Sequence, residues 1–359
     1  MSQLDIPCLL MRGGTSKGPY FNNSDLPSDR EEIAKILIAA LGAGHALNID
    51  GVGGGNPVTT KVAILSSSDD EWAEIDYLFA QVNVEEHLVD FGPTCGNILA
   101  GVGPAAIEMG LLAANDGHTS VRIKSVNTGA RIEAIVETPN GAVNYEGDAS
   151  INGVPGTAAP VILNFLDVIG SKTGALLPTG SAINDIDGFK LTCIDVAMPM
   201  VIGLASEFGI TGYESRDELD GNESLFEKIE AVRLKAAELM GMGDVSKSVV
   251  PKFALLAKPR EGGSIAARYF MPWSTHPSFA VTGSICTGSC LLAPGTVAGE
   301  LIDQNPGETS KITIEHPSGM IDVVFDSEIV NGDFQLNSAG VLRTARKLFS
   351  GNIHIPKSS

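Results

Sequence analysis

Basic side chains are scarce in this chain: 24 lysines and arginines stand against 43 aspartates and glutamates, a formal charge of −19. A surface so acidic argues against general nucleic-acid binding. It also repels anions at long range, so a carboxylate ligand needs positive groups gathered locally. Long hydrophobic runs are missing too. Residues 98–107 and 197–205 are interrupted by glycine, proline or a polar residue and fall short of the ~20 that span a bilayer. No membrane span is expected, and the opening Met1-Ser2-Gln3-Leu4-Asp5-Ile6-Pro7 lacks the basic and apolar regions of a secretory leader.

Cysteine is sparse and unpaired. Cys8, Cys95, Cys193, Cys286 and Cys290 form no CxxC, and an odd number without a disulfide or zinc pattern points to a reducing cytoplasm. Scattered histidines, including His276 and His316, show no metal-ligand spacing, so no metal is expected. The loop Gly51-Val52-Gly53-Gly54-Gly55-Asn56 completes neither GxxxxGK[ST] nor GxGxxG, because Asn56 takes the last place. It predicts no nucleotide site, only a flexible loop leading into the next strand, with Asn56 touching substrate.

What the chain does have is length and apolar content: 359 residues, 43% hydrophobic, enough for two domains. Patterns recur about 190 residues apart. Strand-like 59–65 and 76–82 match 250–256 and 267–272, and Lys61 to Phe79 and Lys252 to Phe270 are both separations of 18 residues. Amphipathic helices at 29–41 and 225–240 precede each pair. Gly-rich helix starts follow: Thr94-Cys95-Gly96-Asn97 and Val281-Thr282-Gly283-Ser284. Two similar α+β domains of mixed strands are expected, 1–183 and 184–359, with the boundary in polar 179–188. The site would lie in the cleft between them, and the last strand, 352–356, is a candidate to return to the first domain.

Cys95 is the outstanding residue. A cysteine just before Gly-Asn at a helix start meets backbone N–H groups and the positive end of the helix, an environment that lowers thiol pKa values and suits proton transfer. The N–H groups of Gly96 and Asn97, and of Gly283 and Ser284, offer two helix-terminus anion sites. The turn Arg12-Gly13-Gly14-Thr15-Ser16-Lys17-Gly18 could clamp a carboxylate through Arg12, Ser16 and Lys17. A constant offset pairs Cys95 with Cys286, whereas local Gly patterns pair it with Thr282. The second is favoured, placing Cys286 one turn deeper in the core. His276 and Ser318 are weaker candidate binders, and Cys8 and Cys193 sit in apolar strand-like runs as core.

Met11-Arg12-Gly13-Gly14-Thr15-Ser16-Lys17-Gly18, Thr60-Lys61-Val62-Ala63, Cys95-Gly96-Asn97-Ile98, His316-Pro317-Ser318-Gly319 and Arg343-Thr344-Ala345-Arg346-Lys347-Leu348-Phe349 together resemble the methylaconitate and aconitate isomerase family. The resemblance covers essentially the whole chain. It implies a diaminopimelate epimerase-like fold, two domains each of mixed strands wrapped around a central helix. It further implies a cofactor-independent isomerase with Lys61 and Cys95 as its catalytic pair. Its substrate would be an unsaturated tricarboxylate, 4-oxalomesaconate of gallate and protocatechuate breakdown before aconitate or 2-methylaconitate. Epimerases of this fold carry a cysteine at both helix starts; Thr282 at the second disfavours inversion by a cysteine pair. From another class, a non-catalytic carboxylate-binding protein on the same scaffold is the alternative, against which a titratable pair argues. The expected partner is a small polycarboxylate, with neither nucleic acid nor membrane involved, and fold-level analogy suggests a homodimer.

Overall fold

The computed structural model of the chain describes residues 3–246, 248–271, 273–301 and 309–357. Two compact units emerge, one of residues 1–164 with 342–359 and one of 165–341. The first holds β1 (Gln3–Gly13), β2 (Ser16–Asn22), α1 (Arg30–Leu41), β3 (Lys61–Ser67), β4 (Ile75–Val82), β5 (Val89–Asp90), α2 (Gly96–Leu99), α3 (Val102–Glu108), β6 (Gly117–Ser125) and β7 (Arg131–Thr138). Strand β8 (Pro160–Leu166) leads out of it. The second holds β9 (Asn184–Ile186), β10 (Phe189–Asp195), β11 (Pro199–Leu204), α4 (Arg216–Asp220), α5 (Glu223–Leu239), β12 (Lys252–Ala257), β13 (Ile265–Phe270), α6 (Val281–Leu292), β14 (Thr309–His316) and β15 (Gly319–Val330). Strand β16 (Asp333–Pro356) begins there and ends in the first unit, where its last residues pair with β1.

Both units follow one topology. In the first, β1 pairs antiparallel with β2, β2 parallel with β3, β3 antiparallel with β4, β4 parallel with β6 and β6 antiparallel with β7. In the second, β10 to β15 repeat that alternation strand for strand. Parallel neighbours need a crossover, and helices fill these places: α1 and α5 before the Lys61 and Lys252 strands, α2–α3 and α6 after the following strand. The internal repeat read from sequence is therefore a repeat of topology, with Lys61 and Lys252 opening equivalent strands.

Periodicity explains the helices. In α1, Ile33, Leu37, Ala40 and Leu41 are buried on one stripe, Asp29 caps the N-terminus by accepting from the Glu31 and Glu32 N–H groups, and Gly42 ends it at φ 71°. Burying each such Leu or Ile contributes roughly 1.5–3 kcal/mol. Helix α5 buries Leu225, Ile229, Val232 and Ala236 in the same way.

One expectation shifts. The change of unit falls at 164/165 rather than 183/184, because it occurs within a strand that carries no polar signature, while polar 179–188 is the approach to the β9–β10 hairpin. The helix opened by Cys95 runs only to Leu99 before α3 resumes at Val102. Of the strand expected at 267–272, Pro272 lies outside the described residues.

Candidate active site

Strand alternation in the first unit sorts side chains between two faces. Phe21, Val62, Ile64, Leu78 and Ala80 pack with α1 residues Ile33 and Leu37. Lys61, Ala63 and Leu65 therefore face the other way, with Tyr20 and Phe79 opposite Ala63, Gln81 opposite Lys61 and Tyr77 opposite Leu65. Helix α2 lies on that second face. The Tyr20 hydroxyl donates to the Ile98 carbonyl at 2.5 Å, and the Tyr77 hydroxyl to the Cys95 carbonyl at 3.3 Å. Burial above all, then the neighbouring Cys95, pushes both phenol pKa values well up, so these hydroxyls remain donors.

Lys61 is thus on the face that carries the Cys95 turn. Its Nζ donates to Gln81 Oε1 at 2.7 Å and stands 5.4 Å from the centre of the Phe79 ring. Cys95 is the half-buried member of the five cysteines, all others being buried. It takes the position before α2 in extended conformation, with no hydrogen bond from its side chain to the helix. The Leu99 N–H bonds the Cys95 carbonyl, so the N–H groups of Gly96, Asn97 and Ile98 precede the first helical bond. Asn127 fixes the approach to this turn: its amide bonds both N–H and carbonyl of Phe79, and donates to the Phe91 carbonyl at 2.7 Å.

The β1–β2 turn presses on the same helix. A Cβ at Gly13 would lie 2.5 Å from the Asn97 carbonyl oxygen, so only glycine allows this approach. Asn97 Oδ1 accepts from the Thr15 N–H at 3.3 Å. Ser16, buried opposite Gly13, belongs to the same face as Lys61, whereas Arg12 and Lys17 pair with each other on the α1 face. Arg12 Nη1 bonds the Gly14 carbonyl and both oxygens of Thr344, pinning the turn to β16. The structure therefore groups Lys61, Cys95, Gly96, Asn97 and Ser16, keeps the Arg12 guanidinium within electrostatic reach of Tyr20 on that face, and turns Lys17 to the other. Asn56 is exposed, and its side chain closes a local turn by accepting from the Val58 N–H. An open hollow beside Gln81 is flanked by Glu85, Glu86 and Asp90, a charge pattern that repels polycarboxylates.

In the second unit, α6 is buried along its length except at Thr282. Position for position, the residue before α6 is Ala280, not Thr282. Thr282 Oγ1 and the Tyr269 hydroxyl both donate to the Met198 sulfur, at 3.2 and 3.4 Å, and the Tyr269 ring leaves no room for a Cβ at Gly283. Cys286 is wholly buried with Sγ toward the Ile194 carbonyl, and burial pushes its pKa well up. That placement disfavours a cysteine pair.

Two expected donors are engaged elsewhere. The Ser284 N–H makes the first helical bond, to the Ala280 carbonyl, because α6 starts two residues earlier than the Thr282 alignment implied. The Ser318 N–H is taken by His316 Nδ1 and its hydroxyl by the Pro277 carbonyl. His276 Nδ1 accepts from the Ser278 N–H in the same manner. Among the described residues no group of three His, Cys, Asp or Glu side chains is placed to share a metal ion, and no helix is long and apolar enough to cross a membrane. Sequence reasoning missed Tyr20, Tyr77, Gln81 and Asn127; strand alternation around Lys61 was the available signal for the first three.

Two repeats of one strand topology, each with a buried helix packed on its strands, and a lysine and cysteine on one face define an epimerase-like isomerase scaffold. The sequence matches the PrpF protein family over residues 3–356, and the chain belongs to that family. It is 46% identical to "(4E)-oxalomesaconate Delta-isomerase" of Novosphingobium sp. strain KA1, covering 97% of each chain. It is 44% identical to "4-oxalomesaconate tautomerase" of Pseudomonas putida KT2440, covering 100% of this chain and 98% of the other. Among solved structures, methylitaconate-delta-isomerase superposes with a TM-score of 0.87 at 34% identity, covering 99% of this chain and 97% of the other. A hydroxyproline epimerase from Agrobacterium vitis shares the fold at a TM-score of 0.56 and 11% identity, covering 98% and 93%. The chain is an isomerase of diaminopimelate epimerase-like fold.

Proposed function

We propose that this isomerase moves a proton within an unsaturated tricarboxylate, 4-oxalomesaconate, and that Lys61 and Cys95 handle that proton. The relatives at 44% and 46% identity carry the substrate part of this reading. For the residues, its main support is the register that sets Lys61 on the sheet face bearing the Cys95 turn. Tautomerisation next to a carbonyl removes a C–H proton, leaves a dienolate, and returns a proton to a different atom. A thiol and an amine suit the two transfers, since each can give or take a proton as a general acid or base. The N–H groups of Gly96 and Asn97, unused by the helix, supply donors over the growing charge.

The chemistry asks for no cofactor, so turnover should survive dialysis and chelator; a strict metal or nucleotide requirement would refute this. Incubating the purified protein with 4-oxalomesaconate, aconitate and 2-methylaconitate while following ultraviolet absorbance tests the substrate. Turnover at least tenfold faster on the first is expected, and preference for either other would transfer the assignment.

A further inference from the structure

We infer that Gln81 is the positioning residue of Lys61: a neutral acceptor that holds the amine on the Cys95 face without adding negative charge. The inference rests on the reading of Lys61 as a proton carrier. Its basis is the fixed orientation of the Gln81 amide. Its Nε2 lies 3.1–3.3 Å from the carbonyls of Pro57, Thr60 and Val82 and the Thr60 hydroxyl. All these surroundings are acceptors, or can act as one, so the nitrogen belongs there and Oε1 must face Lys61. Thr60 is itself locked, its hydroxyl donating to the Val82 carbonyl at 2.8 Å. The amide is therefore built into the strand pair before any ligand arrives.

The choice of a neutral acceptor has chemical content. A carboxylate beside an ammonium favours the charged form, whereas loss of the acceptor disfavours it. Gln81 takes the middle course, fixing the geometry of the amine without setting a carboxylate against it. Other titratable groups around Lys61 are few. Asp90 on β5 lies opposite Gln81 but directs its carboxylate to the Gly92 N–H, Tyr77 on β4 is bonded to the Cys95 carbonyl, and Cys95 is on the helix side. On β2, Gly18 approaches the Lys61 carbonyl and carries no side chain.

Two substitutions of similar length test this with opposite signs. Gln81→Glu should move the lysine-dependent limb of the kcat pH profile up by one unit or more. Gln81→Met should move it down and lower kcat about tenfold, with KM within threefold, a loss well short of removing a general acid or base itself. Reductive 13C-methylation, with the Lys61 signal assigned by its loss in Lys61→Arg, reads the same opposed shifts by NMR titration without relying on turnover. Circular dichroism checks folding in each variant. Limbs and signals that stay put, or move together in both variants, overturn the inference. If Lys61→Ala keeps wild-type activity, the lysine reading itself has failed; if Lys61→Ala is inactive and the Gln81 variants behave as wild type, only the positioning role has.

Discussion

Lys61 and Lys252 open equivalent strands of the two units, yet their surroundings differ at each lateral position. Lys61 has glycine on one side, Gly18, and the Gln81 amide on the other. Lys252 stands opposite Met200 on β11, and the β12–β13 register carried one residue further sets Met271 beside it. Lys252 finds no hydrogen-bond acceptor among the described residues; burial, then Arg233, pushes its pKa down to about 8. The helices contrast likewise: a short turn headed by a half-buried thiol follows the Lys61 hairpin, and a long buried helix whose Thr282 and Gly283 face a thioether and a phenol ring follows the other. One topology, used twice, gives the first lysine a polar partner and a thiol on its face, the pair to which we assign the proton chemistry, and flanks the second with methionines.

The contrast can be broken most sharply in the first unit. Lys61→Ala and Cys95→Ser should each lower kcat by ~10²–10⁴-fold, the range of one general acid or base, with unfolding midpoints near wild type. Gly18→Ala should come next, since the new Cβ would lie 1.6 Å from the Lys61 carbonyl oxygen. A loss of about 1–3 kcal/mol in urea denaturation, with reduced kcat, is expected from such overpacking.

In the second unit the effect reverses. A half-buried lysine whose folded pKa lies below its ordinary value of 10.5 destabilises the fold fully below that folded value and progressively less up to 10.5. Lys252→Met should therefore gain about 2–3 kcal/mol at pH 7, and the gain should close as pH rises from about 8 to 10.5. Urea midpoints measured across that interval check the sign. Smallest of all, Cys286→Ala should leave kcat within about twofold, because its sulfur is core; a loss comparable to that of Cys95→Ser would restore a two-cysteine mechanism. One removed buried sulfur should cost stability, not rate.

Much of this was legible in the chain. Apolar periodicity marked α1 and α5, and the equal Lys–Phe separations pointed to the repeat, although the two hairpin registers differ by one residue: Phe79 pairs with Ala63 and Phe270 with Phe253. The Gly-Asn after Cys95 marked the turn, since close approach of Gly13 and Asn97 leaves its trace in small residues. The unit boundary was not legible, lying inside β8. Nor was the face to which Lys17 or Ser16 points, for which the parity of β1 and β2 had to be known. The Ser318 N–H looked available in sequence, and only the folded His-Pro-Ser turn shows it held by His316.

The account stands on Lys61 and Cys95 acting on one substrate molecule, and a double-mutant comparison tests that most directly. With 4-oxalomesaconate, kcat is measured for Lys61→Ala, Cys95→Ser and the variant carrying both. Groups that work as a unit lose function together, so the double variant should be no slower than the worse single variant within about threefold. Losses that multiply would show two independent contributions and contradict a shared proton path.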